Sequence, residues 1–338
     1  MSSPITIKDI AKALNISAST VSRALKDHPD ISRETKEAVN NLAAKLRYKP
    51  NAVALSLKNS KTNTIGVIIP EVVHYFFSSV ISGIEDVAYE AGYNVMVCQS
   101  NEKYAREVIN VQALESNRVE GALVSVSKET HDFSHLLNLE ENGVPIVFFD
   151  RAPDELDVDR VIIDDRKAAY NATTHLIETG CRRIAHLSTH QTLGIGFERL
   201  AGYRKALEDH GIPYREELVV VADSFELAGD ATRNLMHLTS PPDAIFAVND
   251  MTAVGAMKTL QRMSIAVPQK VAIIGFSAGF FSDITTPTLS SVDQHGYEMG
   301  VAAAKLLLQR IEKPVEGKHK TQFIDTHLVL RESTKRKT

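Results

Sequence analysis

A candidate serine nucleophile lies in the C-terminal third of the chain. Gly275-Phe276-Ser277-Ala278-Gly279 has the spacing G-x-S-x-G and directly follows the apolar run at residues 271–274. In serine hydrolases this spacing places a nucleophilic serine on a tight turn between a strand and a helix. Ser277 is therefore a candidate for acyl transfer, with Asp283 and His295 as the acid and base that would have to accompany it.

The residues that follow Ser277 argue against this chemistry. Residues 280–283 run directly into the segment 284–287, which ends in proline, and this leaves little room for the helix that must follow a nucleophile elbow. The sequence contains no H-E-x-x-H motif and no paired-carboxylate pattern. We therefore expect a protein that is not an enzyme, with no catalytic residue, metal-ligand set or cofactor, in which Ser277 is a binding-site residue or a spectator.

Composition indicates a soluble protein of two or three domains. Of its 338 residues, 43% are hydrophobic and 24% are charged, and no apolar run approaches the ~20 residues that span a bilayer. The N-terminal stretch MSSPITIKDIAKAL lacks the basic start and apolar core of a secretory signal. We expect cytoplasmic residence and no membrane contact, with Cys98 and Cys181 as reduced thiols because neither has a metal-type spacing.

Charge is divided unevenly along the chain. Residues 1–61 carry eleven Lys/Arg and five Asp/Glu, a net charge of +6, whereas the remainder carries 27 basic and 37 acidic residues, a net charge of −10. A basic segment on an acidic body favours a polyanionic partner for that segment alone.

Helical spacing predicts three short helices within this basic segment. Thr6 begins a capping-box-like start with Asp9, Ser17 caps a second helix that ends near Lys26, and a third helix runs over residues 32–47. Two short helices joined by a three- or four-residue turn form a helix-turn-helix pattern.

The outward face of the second helix has the chemistry of a DNA-reading surface. Its residues are short or basic: Ala18, Ser19, Ser22, Arg23 and Lys26. In the major groove, the hydroxyls would contact phosphates and Arg23 would reach a base edge. The alternative is a plain three-helix bundle with a polar face.

The amino-acid sequence of three N-terminal segments favours the DNA-binding interpretation. The segments TIKDIAKALNISASTVSRAL, ISRETKEAV and LRYKPNAVALSLKNSKTNTIGVIIP resemble the DNA-binding head and hinge of the lactose/galactose repressor (LacI-type) family, and the resemblance continues through the whole chain. It implies a sequence-specific transcription regulator, most simply a repressor of carbohydrate-related genes. Its partners would be a pseudo-palindromic double-stranded operator, a second copy of the chain and a small effector such as a sugar or sugar derivative.

The resemblance also implies a short hinge helix at residues 50–58. Two helical turns are marginal in water, so we expect this helix to order only when something packs on it. By resemblance, Leu57 would wedge into a minor-groove step and Asn51 would contact phosphate, with Ala54 and Lys58 also at the DNA. In the head, Thr6 and Ser17 are further expected DNA contacts. The alternative is a linker helix docked on its own core.

The body of the chain alternates apolar strands with amphipathic helices. Strands are predicted at 64–69, 94–98, 121–126, 145–150, 183–187, 218–221, 244–248 and 271–275, and helices at 77–91, 106–117, 167–179 and 197–210. The fold class is α/β: a helix-turn-helix head and hinge helix, then two doubly wound parallel-sheet lobes like those of periplasmic binding proteins. We expect a head at 1–49, a hinge and linker at 50–61, an N-terminal lobe at 62–163 plus 292–324, and a C-terminal lobe at 164–291 plus 325–338.

Ligands of such sheets bind beyond the carboxyl ends of the strands. Residues at strand ends that also match effector-binding positions implied by the resemblance are Phe76, Phe77, Asp150, Ile195, Arg199, Phe225, Asn249, Ser277 and Gln294. Each also has a structural interpretation, since aromatic pairs at helix starts pack in cores and strand-end Asp residues cap helices.

Ser277 departs from the family pattern, which has an aspartate that accepts hydrogen bonds from the effector. A hydroxyl makes weaker hydrogen bonds than a carboxylate does, so a plain hexose is less secure as the effector. A phosphorylated or less polar ligand, a protein corepressor and no effector at all stay open. Two other functions also stay open: a ligand-binding module with little DNA binding, and a serine hydrolase that uses Ser277.

Overall fold

The structure is a computed structural model that describes residues 5–48, 61–153, 156–313 and 319–336. The chain divides into two compact units, Met1–Thr62 and Asn63–Thr338. Strands and helices are numbered below in chain order.

The first unit contains the three predicted helices, α1 (Ile7–Ala13), α2 (Ala18–Leu25) and α3 (Arg33–Lys45). Ser17 accepts a hydrogen bond from the Thr20 backbone N–H at 3.0 Å and so caps α2, as predicted. Ile10, Val21 and Val39, one from each helix, are fully buried. This shared apolar core holds α1 and α2 in particular, because helices of about two turns are not stable alone.

The second unit begins with a six-stranded parallel sheet. Its strand order is β11-β5-β4-β3-β1-β2. The strands are β1 (Thr64–Ile69), β2 (Asn94–Gln99), β3 (Ala122–Val124), β4 (Ile146–Phe149), β5 (Asp159–Ile163) and β11 (Thr321–Ile324). The helices of this lobe are α4 (Tyr75–Glu90), α5 (Tyr104–Ser116), α6 (Ser134–Glu141) and α12 (Gly296–Glu312).

A second six-stranded sheet has the order β12-β10-β9-β8-β6-β7 and is parallel except for the antiparallel pair β10–β12. The strands are β6 (Ile184–Ser188), β7 (Val219–Val221), β8 (Ala244–Ala247), β9 (Ala272–Ser277), β10 (Ser290–Asp293) and β12 (His327–Val329). The helices are α7 (Asp165–Glu178), α8 (Gly194–Asp209), α9 (Phe225–Met236), α10 (Asp250–Arg262) and α11 (Phe281–Ile284). The predicted two-lobed α/β class is confirmed.

Three crossings join the two sheets: β5 to α7 at Asp164, β10 to α12 at residues 294–295, and β11 to β12 at residues 325–326. Strands β5, β10, β11 and β12 were not predicted, because each is short and mixes polar with apolar residues. β10 continues to Asp293 in the second sheet, so the crossing comes later than the boundary expected at residue 292.

Central strands are buried on both faces, as parallel sheets covered by helices require. Helices α4 and α12 pack so closely that a Cβ on Gly300 would lie 2.1 Å from the Val80 carbonyl oxygen. Among the described helices, none is long and apolar enough to cross a membrane.

Candidate functional site

Helix α2 presents one apolar and one polar face. Val21 and Ala24 are buried in the core of the three helices, whereas Ser19, Arg23 and Lys26 are exposed. Within the described part of the chain, Arg23 and Lys26 make no ion pair or side-chain hydrogen bond. Both cations are therefore available to an anionic partner.

The remaining head residues expected to contact DNA make local contacts within the head. Ser22 and Ala18 are half-buried, and Ala18 packs against the apolar core. The Thr6 hydroxyl donates to Asp9 Oδ2 at 2.7 Å, and the Ser17 hydroxyl lies 2.7 Å from that of Ser19. The expected hinge contacts Asn51, Ala54, Leu57 and Lys58 lie outside the described residues.

A second candidate site is a cavity of about 70 Å³ between the two sheets. Eight of the nine expected effector-binding residues line it: Phe76, Phe77, Asp150, Ile195, Arg199, Asn249, Ser277 and Gln294. The structure brings them together from both lobes. Phe225 begins α9 and is not among the lining residues.

Arg199 is the most enclosed cation of this cleft. It is only 4% exposed, its Nε donates to Asp165 Oδ1 at 2.7 Å, and its Nη1 donates to the Val248 carbonyl oxygen at 2.6 Å. Its guanidinium carbon lies 3.7 Å from the centre of the Phe276 ring. Burial raises the pKa of Asp165 to about 6, against the lowering effect of Arg199, so the carboxylate is charged at neutral pH.

A chain of side chains connects the two lobes through the crossing after β10. The Ser277 hydroxyl donates to Gln294 Oε1 at 2.9 Å, and Gln294 Nε2 lies 3.5 Å from Asp150 Oδ1. Burial raises the pKa of Asp150, which has a left-handed backbone with φ of 57°. Ser277 also has a positive φ, 124°, so both ends of this chain stand on strained backbone of the kind common at binding sites.

An ion pair crosses the cleft directly. Lys128 Nζ, from the first lobe, lies 2.8 Å from Asp223 Oδ2, from the second. Asp223 also accepts a hydrogen bond from the Thr189 hydroxyl at 2.5 Å. Burial acts to raise the pKa of Asp223, but the bonds from Lys128 and Thr189 hold it below its usual value. On the first lobe, Arg151 Nη1 donates to Glu102 Oε2 at 2.8 Å.

Sequence reasoning missed several lining residues, namely Glu102, Lys128, Thr189 and Asp223. A signal for them was present, because Glu102, Lys128, Thr189 and Asp223 all lie within a few residues of a strand's carboxyl end. The strand-end rule, applied to every strand and not only to family-like positions, would have named these four.

The surroundings of Ser277 differ from those of a nucleophile elbow. A Cβ on Gly275 would lie 2.3 Å from Asp250 Oδ1, so this glycine makes room for the buried Asp250 carboxylate. The helix that follows is only Phe281–Ile284, as expected. Of the two triad candidates, Asp283 accepts a hydrogen bond from Arg331 Nε at 2.6 Å, and the His295 ring lies against His327. Ser277 is thus bonded to Gln294, with its candidate acid and base engaged elsewhere.

Comparison with known proteins places both sites in one family. Residues 6–51 match bacterial regulatory proteins of the lacI family, and residues 173–334 match a periplasmic binding protein-like domain. The HTH-type transcriptional repressor PurR of Vibrio atlanticus (strain LGP32) is 31% identical over 323 residues, which cover 95% of this chain and 96% of the relative. The chain belongs to the LacI family.

Within the LacI family, the ribose operon repressor of Halalkalibacterium halodurans is 33% identical, over 98% of this chain and 97% of the relative. The solved lac repressor dimer bound to operator and the anti-inducer ONPF shares the fold, with a TM-score of 0.86 and 24% identity over 98% of this chain and 99% of that one. The chain is thus a DNA-binding transcription regulator of the LacI family, with α1–α3 as its DNA-binding domain and a periplasmic binding protein-like body.

Proposed function

We propose that this regulator is a homodimeric repressor that binds a pseudo-palindromic operator through α2, responds to a small ligand in the cleft and acts on carbohydrate-related genes. The observation that carries the proposal is the exposed face of α2, where Arg23 and Lys26 have no partner in the described chain. A helix of this chemistry suits the major groove, where Arg bonds to guanine and hydroxyls bond to phosphates.

A dimer and a symmetric operator follow from binding of DNA through one short helix per chain. One short helix reaches only a few base pairs, and a two-fold protein reads two half-sites. Two relatives are named as repressors, and the lac repressor of the same fold was solved as a dimer on its operator. We propose that this chain likewise represses transcription as a dimer, in the cytoplasm.

The cleft favours a polyhydroxylated ligand, such as a sugar or sugar derivative. Its inner cavity of about 70 Å³ holds roughly two water molecules and adjoins a cavity of about 310 Å³ that shares Asp150, Arg151 and Ile195. A larger ligand therefore extends into that space or requires the lobes to separate. Separation breaks the Lys128–Asp223 pair and exposes the Asp150–Gln294–Ser277 chain. A ligand must replace these hydrogen bonds, because unpaired buried polar groups are costly.

We also propose that Ser277 is not a nucleophile. Its hydroxyl donates to Gln294 Oε1, and its candidate acid Asp283 is paired with Arg331. A serine-directed phosphonate should leave the protein unlabelled, and stoichiometric labelling that is lost in Ser277→Ala would establish the hydrolase alternative instead.

The decisive test is selection of sheared genomic DNA on the full-length protein at near-physiological salt, followed by sequencing. A short palindrome should be enriched, and Arg23→Ala should weaken binding to it by about 10- to 100-fold, the value of one bidentate base contact. The matched control is Arg33→Ala, which removes an exposed arginine already paired with Glu37 at 2.8 Å.

The outcomes separate the candidate functions. Equal losses in Arg23→Ala and Arg33→Ala would contradict reading by α2, and no enrichment with or without cell extract would favour a ligand-binding module. Genes beside the enriched sites then nominate ligands, whose binding is checked by their effect on thermal unfolding.

A further inference from the structure

Two histidines and an aspartate meet where the chain crosses between the sheets. Asp293 ends β10, His295 precedes α12, and His327 begins β12. Asp293 and His327 are paired residues of the antiparallel ladder, which fixes their separation. One ligating atom from each of the three side chains lies within 4.8 Å of the others.

The two imidazoles already face each other. His295 Nε2 lies 2.9 Å from His327 Nδ1, while Asp293 Oδ1 accepts a hydrogen bond from the His295 backbone N–H at 2.8 Å. His295 holds a left-handed backbone with φ of 50°, a conformation that non-glycine residues adopt only when their surroundings enforce it. Neutral imidazole nitrogens at this separation either share one proton or point at one metal ion.

The donor set matches the first-row transition metals. Imidazole nitrogen suits zinc, copper, iron and nickel, and a 2-His-1-carboxylate set with open positions is an established way of holding such ions. An acidic cluster for Ca²⁺ or Mg²⁺ would instead offer only oxygen ligands.

A second carboxylate is placed to support one ligand. Glu298, in the first turn of α12, has Oε2 3.7 Å from His295 Nδ1, the nitrogen that faces away from His327. Metal-bound histidines commonly give their other N–H to a carboxylate, which fixes the tautomer and raises the basicity of the ligating nitrogen.

The cluster also opens onto space for further ligands. Asp293, His295 and Glu298 line a cavity of about 220 Å³, together with Ser277 and Ala278. This volume accommodates several water molecules, which would complete the coordination of an ion.

We propose that Asp293, His295 and His327 form a binding site for a divalent first-row transition metal, with Glu298 supporting His295. The ion links the crossing at residues 294–295 to β12. Gln294 lies between two of the ligands and bonds to Ser277 and Asp150 on opposite lobes, so an ion here stabilises one arrangement of the crossings.

The test uses Zn²⁺ and untagged, metal-free, full-length protein, titrated by calorimetry. We expect saturable binding of one Zn²⁺ per chain. His327→Ala and Asp293→Asn should each weaken it by roughly tenfold or more, and Glu298→Gln should weaken it less or equally. His327 is exposed, so its truncation leaves the fold intact. The matched control is His131→Ala, another exposed histidine, which should bind Zn²⁺ as the parent does.

Spectroscopy supplies an independent readout. Co²⁺ in place of Zn²⁺ should give visible d–d absorption that is lost in His327→Ala and kept in His131→Ala. Unsaturable Zn²⁺ binding, or equal Zn²⁺ affinity in His327→Ala and the parent, would overturn the proposal and leave the two histidines as a hydrogen-bonded pair.

Discussion

Helix α2 and the cleft use the same side-chain types in opposite ways. On α2, Arg23 is exposed and has no partner in the described chain. In the cleft, Arg199 is 4% exposed, bonded to Asp165 and the Val248 carbonyl oxygen, and stacked on Phe276. A reading surface must leave its groups free for an external partner, whereas a closed cleft must satisfy them internally, because a buried unpaired charge is very costly.

The largest expected difference between the two regions is in how their binding affinities depend on salt concentration. Operator affinity should fall by roughly a thousandfold between 50 and 200 mM salt, the loss expected when about six phosphate contacts release their counterions. Affinity for a neutral cleft ligand should change little, because buried pairs are screened far less. Filter binding measures operator affinity across the salt series, and calorimetry measures ligand affinity. Operator affinity that does not change with salt would contradict the electrostatic difference between the two regions.

Truncating the two arginines should sharpen the contrast in stability. Arg199→Met leaves the buried Asp165 carboxylate without its partner and should lower the free energy of unfolding of the body by about 3–5 kcal/mol. The matched variant Arg23→Met should change stability by about 0.5 kcal/mol or less. Adding Asp165→Asn to Arg199→Met should restore part of the loss in urea unfolding, and no recovery would mean that packing on Phe276 dominates.

Acid should act on the body through a buried imidazole. His186 is fully buried, its Nδ1 lies 3.1 Å from the Phe246 carbonyl oxygen, and burial lowers its pKa to about 4. The unfolded chain binds a proton near the ordinary value of about 6.5, so the body loses roughly 3 kcal/mol of stability as pH falls from about 6.5 to about 4.

The variant His186→Phe isolates this contribution. Other groups, including Asp165, titrate equally in both proteins, so the difference between their unfolding free energies should vary with pH only over the His186 range. A difference that is constant with pH would show that this imidazole stays neutral in both states or charged in both.

The smallest effect should come from the pair that crosses the cleft. Lys128 and Asp223 are partly exposed, so their ion pair contributes about 1 kcal/mol or less to closure. Lys128→Met should therefore change cleft-ligand affinity by no more than about fivefold. Because the chain contains no tryptophan, His74→Trp would supply a single fluorescent reporter of closure for this measurement. A loss of ligand affinity in Lys128→Met much larger than fivefold would show that Lys128 contacts the ligand directly.

Local patterns predicted much of the molecule. The cap Ser17, the three head helices and most apolar strands follow from spacings within a few residues. The strand ends Phe149 and Val248 also pointed to Asp150 and Asn249, which line the cavity. In contrast, β5, β10, β11 and β12 are short and mix polar with apolar residues, so periodicity alone could not identify them.

Helix α2 could be predicted from the sequence alone, because its polar face and its core face are set by helical geometry over eight residues. The cleft and the proposed metal-binding residues came to light only in the folded chain. Lys128 and Asp223, and likewise His295 and His327, are brought together by the order of strands in the sheets and by the crossings between them. Such pairings depend on contacts distant in sequence, and no local spacing records them.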